Sequence, residues 1–169
     1  MTKKLIILLL AIAPLAAVAQ NAKLAHINTQ EIFSLMPELP GIETQLTTKN
    51  EEISKNGQAL VDELNKKSEE FQKLATTSSD AVKADQQKQL DQIYERYQLF
   101  VQNGQREMED LRQKLLAPVQ QKIANAIKAV GDEKGYTYVF DLAAGNLVYV
   151  STTNAEDATP LVKTKLGIK

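Results

Sequence analysis

Few side chains in this sequence have the type and spacing for covalent or acid–base chemistry. His26 is the single histidine and there is no cysteine, so thiolate catalysis, thiolate metal ligation and disulfides are excluded. A metal at His26 would need partner ligands at a recognisable spacing, and no H-E-x-x-H or comparable pattern supplies them. G-x-S-x-G and the phosphate-binding loop are absent as well. Glu51-Glu52 and Glu69-Glu70 carry the groups for general acid–base work. Neighbouring residues on a helix point about 100° apart, so these pairs read as wetted helix surface rather than as catalytic dyads. Tyr136, Tyr138 and Phe140 form an aromatic stripe that resembles a ligand platform. With aromatics at only 5% of the chain, they are needed first as core or subunit contact. No catalytic residue, cofactor or metal is expected, and no enzymatic activity.

The elements that hold these residues are organised around Gly41–Gly131. Apolar residues on its first limb are Ile42, Leu46, Ile53, Leu60, Leu64, Phe71 and Leu74. On the second they are Leu90, Ile93, Tyr97, Phe100, Met108, Leu111, Leu115, Val119, Ile123, Ile127 and Val130. Their spacings are mostly three, four or seven, the mark of a narrow seam between paired helices. Folding the chain at Ser78–Ser79 sets opposite each other residues whose numbers sum to about 157. Leu64 then faces Ile93, Leu60 faces Tyr97, Gly57 faces Phe100 and Gly104 faces Ile53. A helical glycine costs about 1 kcal/mol relative to alanine, and small-against-large packing offsets part of that cost. The 41–117 segment is therefore predicted to be an antiparallel helical-hairpin arm with its tip near 76–80. Pro118 removes a helical hydrogen bond and marks a predicted hinge between arm and body.

The first nineteen residues read as an export signal. Lys3 and Lys4 precede the apolar run Leu5–Ala13, and Ala17-Val18-Ala19 forms a cleavage site before Gln20. The run is too short for a spanning helix, and without cysteine there is no lipid attachment. The expectation is a soluble exported protein, cleaved after Ala19, in the periplasm of a bacterium. Of 20 basic and 21 acidic residues, two lysines leave with the signal, so the mature chain is mildly acidic. It lacks the basic excess of a general nucleic-acid binder.

The predicted body, 20–40 with 118–169, is a small β structure. Lys23–Asn28 reads as a strand with Ala25 and Ile27 on its inner face. Asn28 with Glu31 resembles a capping box opening a short helix through Met36, which Pro37 and Pro40 end. Gly135–Ser151 predicts a β-hairpin: Tyr136, Tyr138 and Phe140 alternate, Ala144-Gly145-Asn146 turns, and Leu147–Val150 with Tyr149 runs back. Thr159 reads as the cap of a last helix with Pro160 at its first position and Gly167 at its end. So small a body, with open strand edges, is expected to oligomerise. Ala25, Ile27, Tyr136, Tyr138, Phe140, Leu147 and Tyr149 are the candidate core and interface residues. The fold class is α+β, a long hairpin arm projecting from a small β body.

The order of LAHINTQEIF, a proline break, a long charged hairpin, LLAPVQQKIANAIKAV, YTYVFDLAAGNLVYV and a terminal D-x-T-x-x-V (Asp157, Thr159, Val162) resembles the Skp/OmpH family of periplasmic chaperones. The resemblance covers essentially the whole mature chain. It implies a homotrimer joined through its strands, with arms surrounding a cavity that holds unfolded outer-membrane proteins without ATP. The best-known members are strongly basic, whereas Gly41–Gly131 has thirteen basic and fourteen acidic residues. Electrostatic capture of clients and lipopolysaccharide binding are therefore not carried over, and membrane contact is left open. Val61, Tyr94, Leu99 and Val101 are apolar yet off the seam. They are the candidate client contacts, with Tyr94 and Val101, seven apart, on one flank. Release is expected by transfer to an outer-membrane insertase. The rival reading is a coiled-coil envelope spacer or adaptor that binds one folded partner.

Overall fold

The computed structural model describes residues 22–74, 77–145, 147–151 and 153–168. The expected signal (1–19) lies outside these residues, as do Thr76 of the expected tip and Asn146 of the expected turn. The chain divides into two compact units: Met36–Gln121, and the residues up to Leu35 together with Lys122–Lys169.

In the second of these, three short strands among the described residues form one sheet of order β2-β1-β3. Strand β1 (Leu24–Ile27) is central and runs parallel to both β2 (Tyr138–Asp141) and β3 (Ala155–Asp157). Its alternation is the expected one, with Ala25 and Ile27 buried and Leu24 and His26 partly covered. Helix α1 (Thr29–Ser34) follows directly and stops two residues short of the expected Met36. Asn28 caps it, its side chain accepting from the Glu31 N–H at 3.0 Å. The return bond of a capping box is replaced, because the Asn28 N–H donates to the Thr159 hydroxyl at 3.1 Å.

Sheet pairing corrects the expected β-hairpin. Leu147–Val150 forms no strand, the third strand is Ala155–Asp157, and β2 begins at Tyr138 rather than Tyr136. The Asp141 carboxylate supplies the physical reason. It accepts from the Thr29 N–H (3.1 Å), the Thr29 hydroxyl (2.5 Å) and the Ala143 N–H (3.0 Å). These bonds fold the chain after β2 into a 3-10 turn at Leu142–Ala144, beside α1. A tight return onto β2 is thereby lost, and the chain reaches the other edge of β1.

The terminal helix α4 (Thr159–Leu166) starts one residue earlier than expected, with Ala158 as its N-cap. The Asp157 carboxylate takes the Thr159 N–H at 2.9 Å, which leaves the Thr159 hydroxyl for Asn28. Val162 of α4 and Ile32 of α1 are fully buried, and Ile123, Ala126 and Val130 complete the core. The last three sit on helix α3 (Asp80–Lys134), which runs through Pro118 without interruption. Pro118 and Lys114 are both exposed, so water can satisfy the Lys114 carbonyl that proline leaves without a helical donor. The helix ends in a Schellman cap: Gly135, at φ 66°, donates to the Asp132 carbonyl and Tyr136 to the Gly131 carbonyl. Lys23 adds a hydrogen bond to the Lys134 carbonyl at 3.0 Å.

The Met36–Gln121 unit is helical. Helix α2 (Leu39–Leu74) begins two residues before the expected Gly41, with Pro40 in its first turn where no N–H is required. It pairs with the α3 residues of the same unit. Ile42, Ile93 and Val119 are buried, while most other seam residues are only half-covered. Two helices without a third layer leave their seam wetted along both flanks.

Candidate functional site

The expected register is present in the helical unit. A β-carbon placed on Gly57 would meet the Phe100 ring at 3.2 Å, and one on Gly104 would meet Ile53 Cγ2 at 3.0 Å. Both glycines therefore accept a large side chain from the other helix. Ion pairs between the limbs include Lys49 with Glu107 at 2.8 Å and Arg96 with Glu63. The bond to Glu107 first, and that to Glu52 second, raises the Lys49 ammonium above the ordinary lysine pKa.

The glycine crossing lies in a groove of about 560 Å3 between α2 and α3. Its apolar lining includes Ile53, Val61, Phe100, Val101 and Met108, and its polar lining Asn50, Ser54, Gln58 and Gln105. Charge enters only through Glu109 and Arg112, towards one end. A second groove of about 580 Å3 has a different chemistry: Ile93 is its one apolar side chain, among Glu63, Lys66, Lys67, Glu70, Arg96 and two glutamines. At about 100° per residue, Asn50, Ser54, Gly57 and Val61 share one flank of α2. Glu63, Lys66, Lys67 and Glu70 fall on the opposite flank. The helix pair therefore has a neutral, part-apolar face and a charged face.

Of the four candidate contacts, Val61 and Val101 line the neutral groove together. Tyr94, 53% exposed, lies on the same flank of α3 as Val101, two turns nearer the tip. Leu99, also 53% exposed, lies on the other flank beside Glu95, Gln98 and Gln102. Sequence reasoning gave Phe100 and Met108 to the seam alone and missed the neutral rim. The available signal was Asn50, Ser54 and Gln58, uncharged at i, i+4 and i+8 in an otherwise charged helix.

The sheet unit carries a structural polar network. Burial pushes the Asp141 carboxyl up, but the Thr29 hydroxyl and the Ala143 and Thr29 N–H groups outweigh it and hold the pKa below the ordinary value. Asp157 behaves alike: burial raises it, and the Thr159 hydroxyl and N–H with the nearby His26 bring it below. The Tyr136 hydroxyl is pushed up to about 12, by burial first and then by Glu156. Lys23 stands 4.8 Å above the Tyr136 ring and 3.7 Å from Glu156. Ala25 and Ile27 are core residues, whereas Tyr138 (60% exposed), Phe140, Leu147 and Tyr149 are open to solvent in the single chain. No group of three metal-ligating side chains occurs among the described residues. None of their helices is long and apolar enough to cross a membrane.

Comparison with known proteins bears on the whole of this arrangement. The family model for outer membrane protein (OmpH-like) matches residues 23–166. Chaperone protein Skp of Pectobacterium atrosepticum is 28% identical over 154 residues, covering 89% of this chain and 88% of that protein. Chaperone protein Skp of Yersinia enterocolitica is 31% identical over 139 residues, covering 80% and 82%. In fold, the chain is similar to a Caulobacter crescentus CB15 crystal structure assigned as an OmpH-like outer membrane chaperone. The TM-score is 0.68 at 16% identity, over 86% of this chain and 83% of that one.

Proposed function

The chain belongs to the OmpH-like family, and from that premise we propose that it is an ATP-independent holdase chaperone of the periplasm. In this reading it binds unfolded outer-membrane proteins and keeps them from aggregating until an outer-membrane insertase takes them over. The observation that carries the reading is the family match over 23–166, joined by likeness to two chaperones over most of their length. The helical unit supports it, because the Gly57–Gly104 groove and Tyr94 offer apolar surface that no side chain of the pair covers. Val61, Tyr94 and Val101 are the proposed contacts, on one flank. Leu99, on the other flank, is proposed only as a lesser contact.

The working form is proposed to be a homotrimer joined through the sheet units. Tyr138, Phe140, Leu142, Leu147, Val148 and Tyr149 are all exposed apolar residues, a larger set than a lone soluble unit normally leaves bare. The outer edges of β2 and β3 present unpaired backbone groups as well. Pro118 is kept as the proposed hinge, with its missing hydrogen bond as the physical ground.

Dilution of a denatured outer-membrane barrel protein tests the function. Scattering should fall in proportion to added chaperone, level off at a fixed stoichiometry, and need no nucleotide. Unchanged aggregation would favour the spacer or adaptor reading.

A further inference from the structure

The two faces of the helix pair differ in what they can hold, and we infer that the neutral groove seats one extended client segment. That segment is about five to seven residues long, apolar on one side and uncharged polar on the other. The inference rests on the holdase reading and specifies what is recognised. From Asn50 to Val61 the groove follows eleven residue steps of α2, and from Tyr97 to Arg112 fifteen steps of α3. At a rise of 1.5 Å per residue these are about 16 and 22 Å, which a strand rising about 3.3 Å per residue fills with about five to seven residues. Alternate side chains of a strand point to opposite sides, so about three would reach the floor of Ile53, Val61, Phe100, Val101 and Met108.

The rim decides the chemistry of the occupant. Asn50, Ser54, Gln58 and Gln105 offer amide and hydroxyl groups that can pair with a strand's free backbone N–H and C=O groups. They offer no counter-charge. Away from the end held by Glu109 and Arg112, a Lys or Glu on the segment would lose water without gaining a partner. The limb of another copy is a poor occupant for the same reason, since Gly41–Gly131 carries twenty-seven charged residues. A strand of an unfolded membrane barrel alternates apolar with polar side chains, and its uncharged stretches match both floor and rim.

Photo-cross-linking tests this with the full mature protein. A photoreactive phenylalanine analogue is placed singly at Gln58, Gln105, Lys66 or Leu99, all in contact with or near solvent, and helicity is checked by circular dichroism. A denatured barrel protein is then added. Capture at 58 and 105 should exceed that at 66 and 99 at least threefold, with cross-links mapping to alternating uncharged strands. Leu99 is more exposed than Val101, so indiscriminate apolar adhesion predicts strong capture at 99 instead. An eight-residue alternating peptide with Thr, Ser and Gln as its polar residues should compete. The same peptide with Lys and Glu at those positions should not. Equal capture at all four positions, or equal competition by both peptides, overturns the inference. Normal suppression of aggregation without capture at 58 and 105 overturns it while leaving the holdase reading intact. Absence of suppression overturns both.

Discussion

Alanine at position 104 tests how the two long helices meet. The substitution adds helix propensity worth about 1 kcal/mol. It also places a β-carbon 3.0 Å from Ile53 Cγ2, tight enough that one side must give by a few tenths of an ångström. Isoleucine in a helix has one strongly preferred χ1 rotamer, so the methyl cannot turn away, and relief must come from the helix axes moving apart. Overpacking of this kind costs about 1–3 kcal/mol. Gly104→Ala should therefore be destabilising by up to about 2 kcal/mol, the difference between these two terms. In an Ile53→Ala background the obstacle is gone and the same change should stabilise by about 1 kcal/mol, leaving propensity alone. The resulting coupling between positions 53 and 104 is about 1–3 kcal/mol, the size expected for residues in direct contact. Gly57→Ala is the internal comparison. Its neighbour at 3.2 Å is the edge of the Phe100 ring, which can tilt towards the open groove, so the change should be close to neutral. Urea unfolding followed at 222 nm, at one fixed protomer concentration because assembly adds to stability, gives all four corners of the cycle. A coupling near zero would show that the limbs do not meet in this register.

Further outcomes follow from the sheet unit and from its exposed apolar residues. Thr159→Val keeps the shape but removes the acceptor of the Asn28 N–H, and should cost about 1–3 kcal/mol for the unsatisfied donor; an unchanged denaturation midpoint would mean that water replaces the hydroxyl. Asp141 and Asp157 have folded pKa values below the ordinary carboxylate value. Their contribution is thus fully present above about pH 4 and lost as pH falls through the lower folded values. Hydrogen exchange at β1 should speed up in that acid range, and less so in Asp141→Asn or Asp157→Asn, whose exchange is already faster at pH 7. Tyr138→Ser with Phe140→Ser should reduce the mass seen by light scattering from that of three chains towards one. An unchanged mass would place the subunit contact elsewhere.

The helical unit was legible because a narrow seam admits few solutions. Once the limbs fold at Ser78–Ser79, the spacing of Ile53, Leu60, Leu64, Ile93, Tyr97 and Phe100 fixes which residues face, and the two glycines follow from it. Strand β1 and its Asn28 cap were legible for another reason: both are set within a few residues, by alternation and by a short side-chain bond. The sheet partners were not. Leu147–Val150 has the composition of a strand yet pairs with nothing among the described residues, while Ala155-Glu156-Asp157 has little strand propensity and pairs with β1. What selects it is non-local: Asp157 holds the start of α4, Thr159 ties that helix to Asn28, and Val162 fills the core beneath. Parallel pairing depends on these same distant contacts, so no local pattern announced it. The groove was half legible, since Val61 and Val101 stood out as apolar residues off the seam. The rim was overlooked because uncharged residues attract no notice until their neighbours prove to be charged.

A groove between only two helices sets a limit on how tightly anything can be held there. Three apolar side chains reaching the floor would each contribute about 1.5–3 kcal/mol if fully buried, but an open groove covers each only in part. Association and the ordering of a flexible segment oppose this with a cost of several kcal/mol. One groove alone therefore holds a segment weakly, with rapid release. Copies of the groove on three assembled chains, gripping successive strands of one client, would raise retention through high effective concentration without strengthening any single contact. On the proposed reading such a client would leave strand by strand once another partner paired its backbone edges more strongly, without nucleotide energy. A bridging pair of charges at the rim would defeat this, because each desolvated ion pair adds a barrier to opening. Replacing Gln58 and Gln105 by Lys should therefore slow release of clients that carry acidic strand residues, while weakening capture of uncharged ones. Stopped-flow transfer to a competing holdase or to detergent micelles measures both. If the lysine variant releases neutral and acidic strands at the parental rates, the rim does not touch the client.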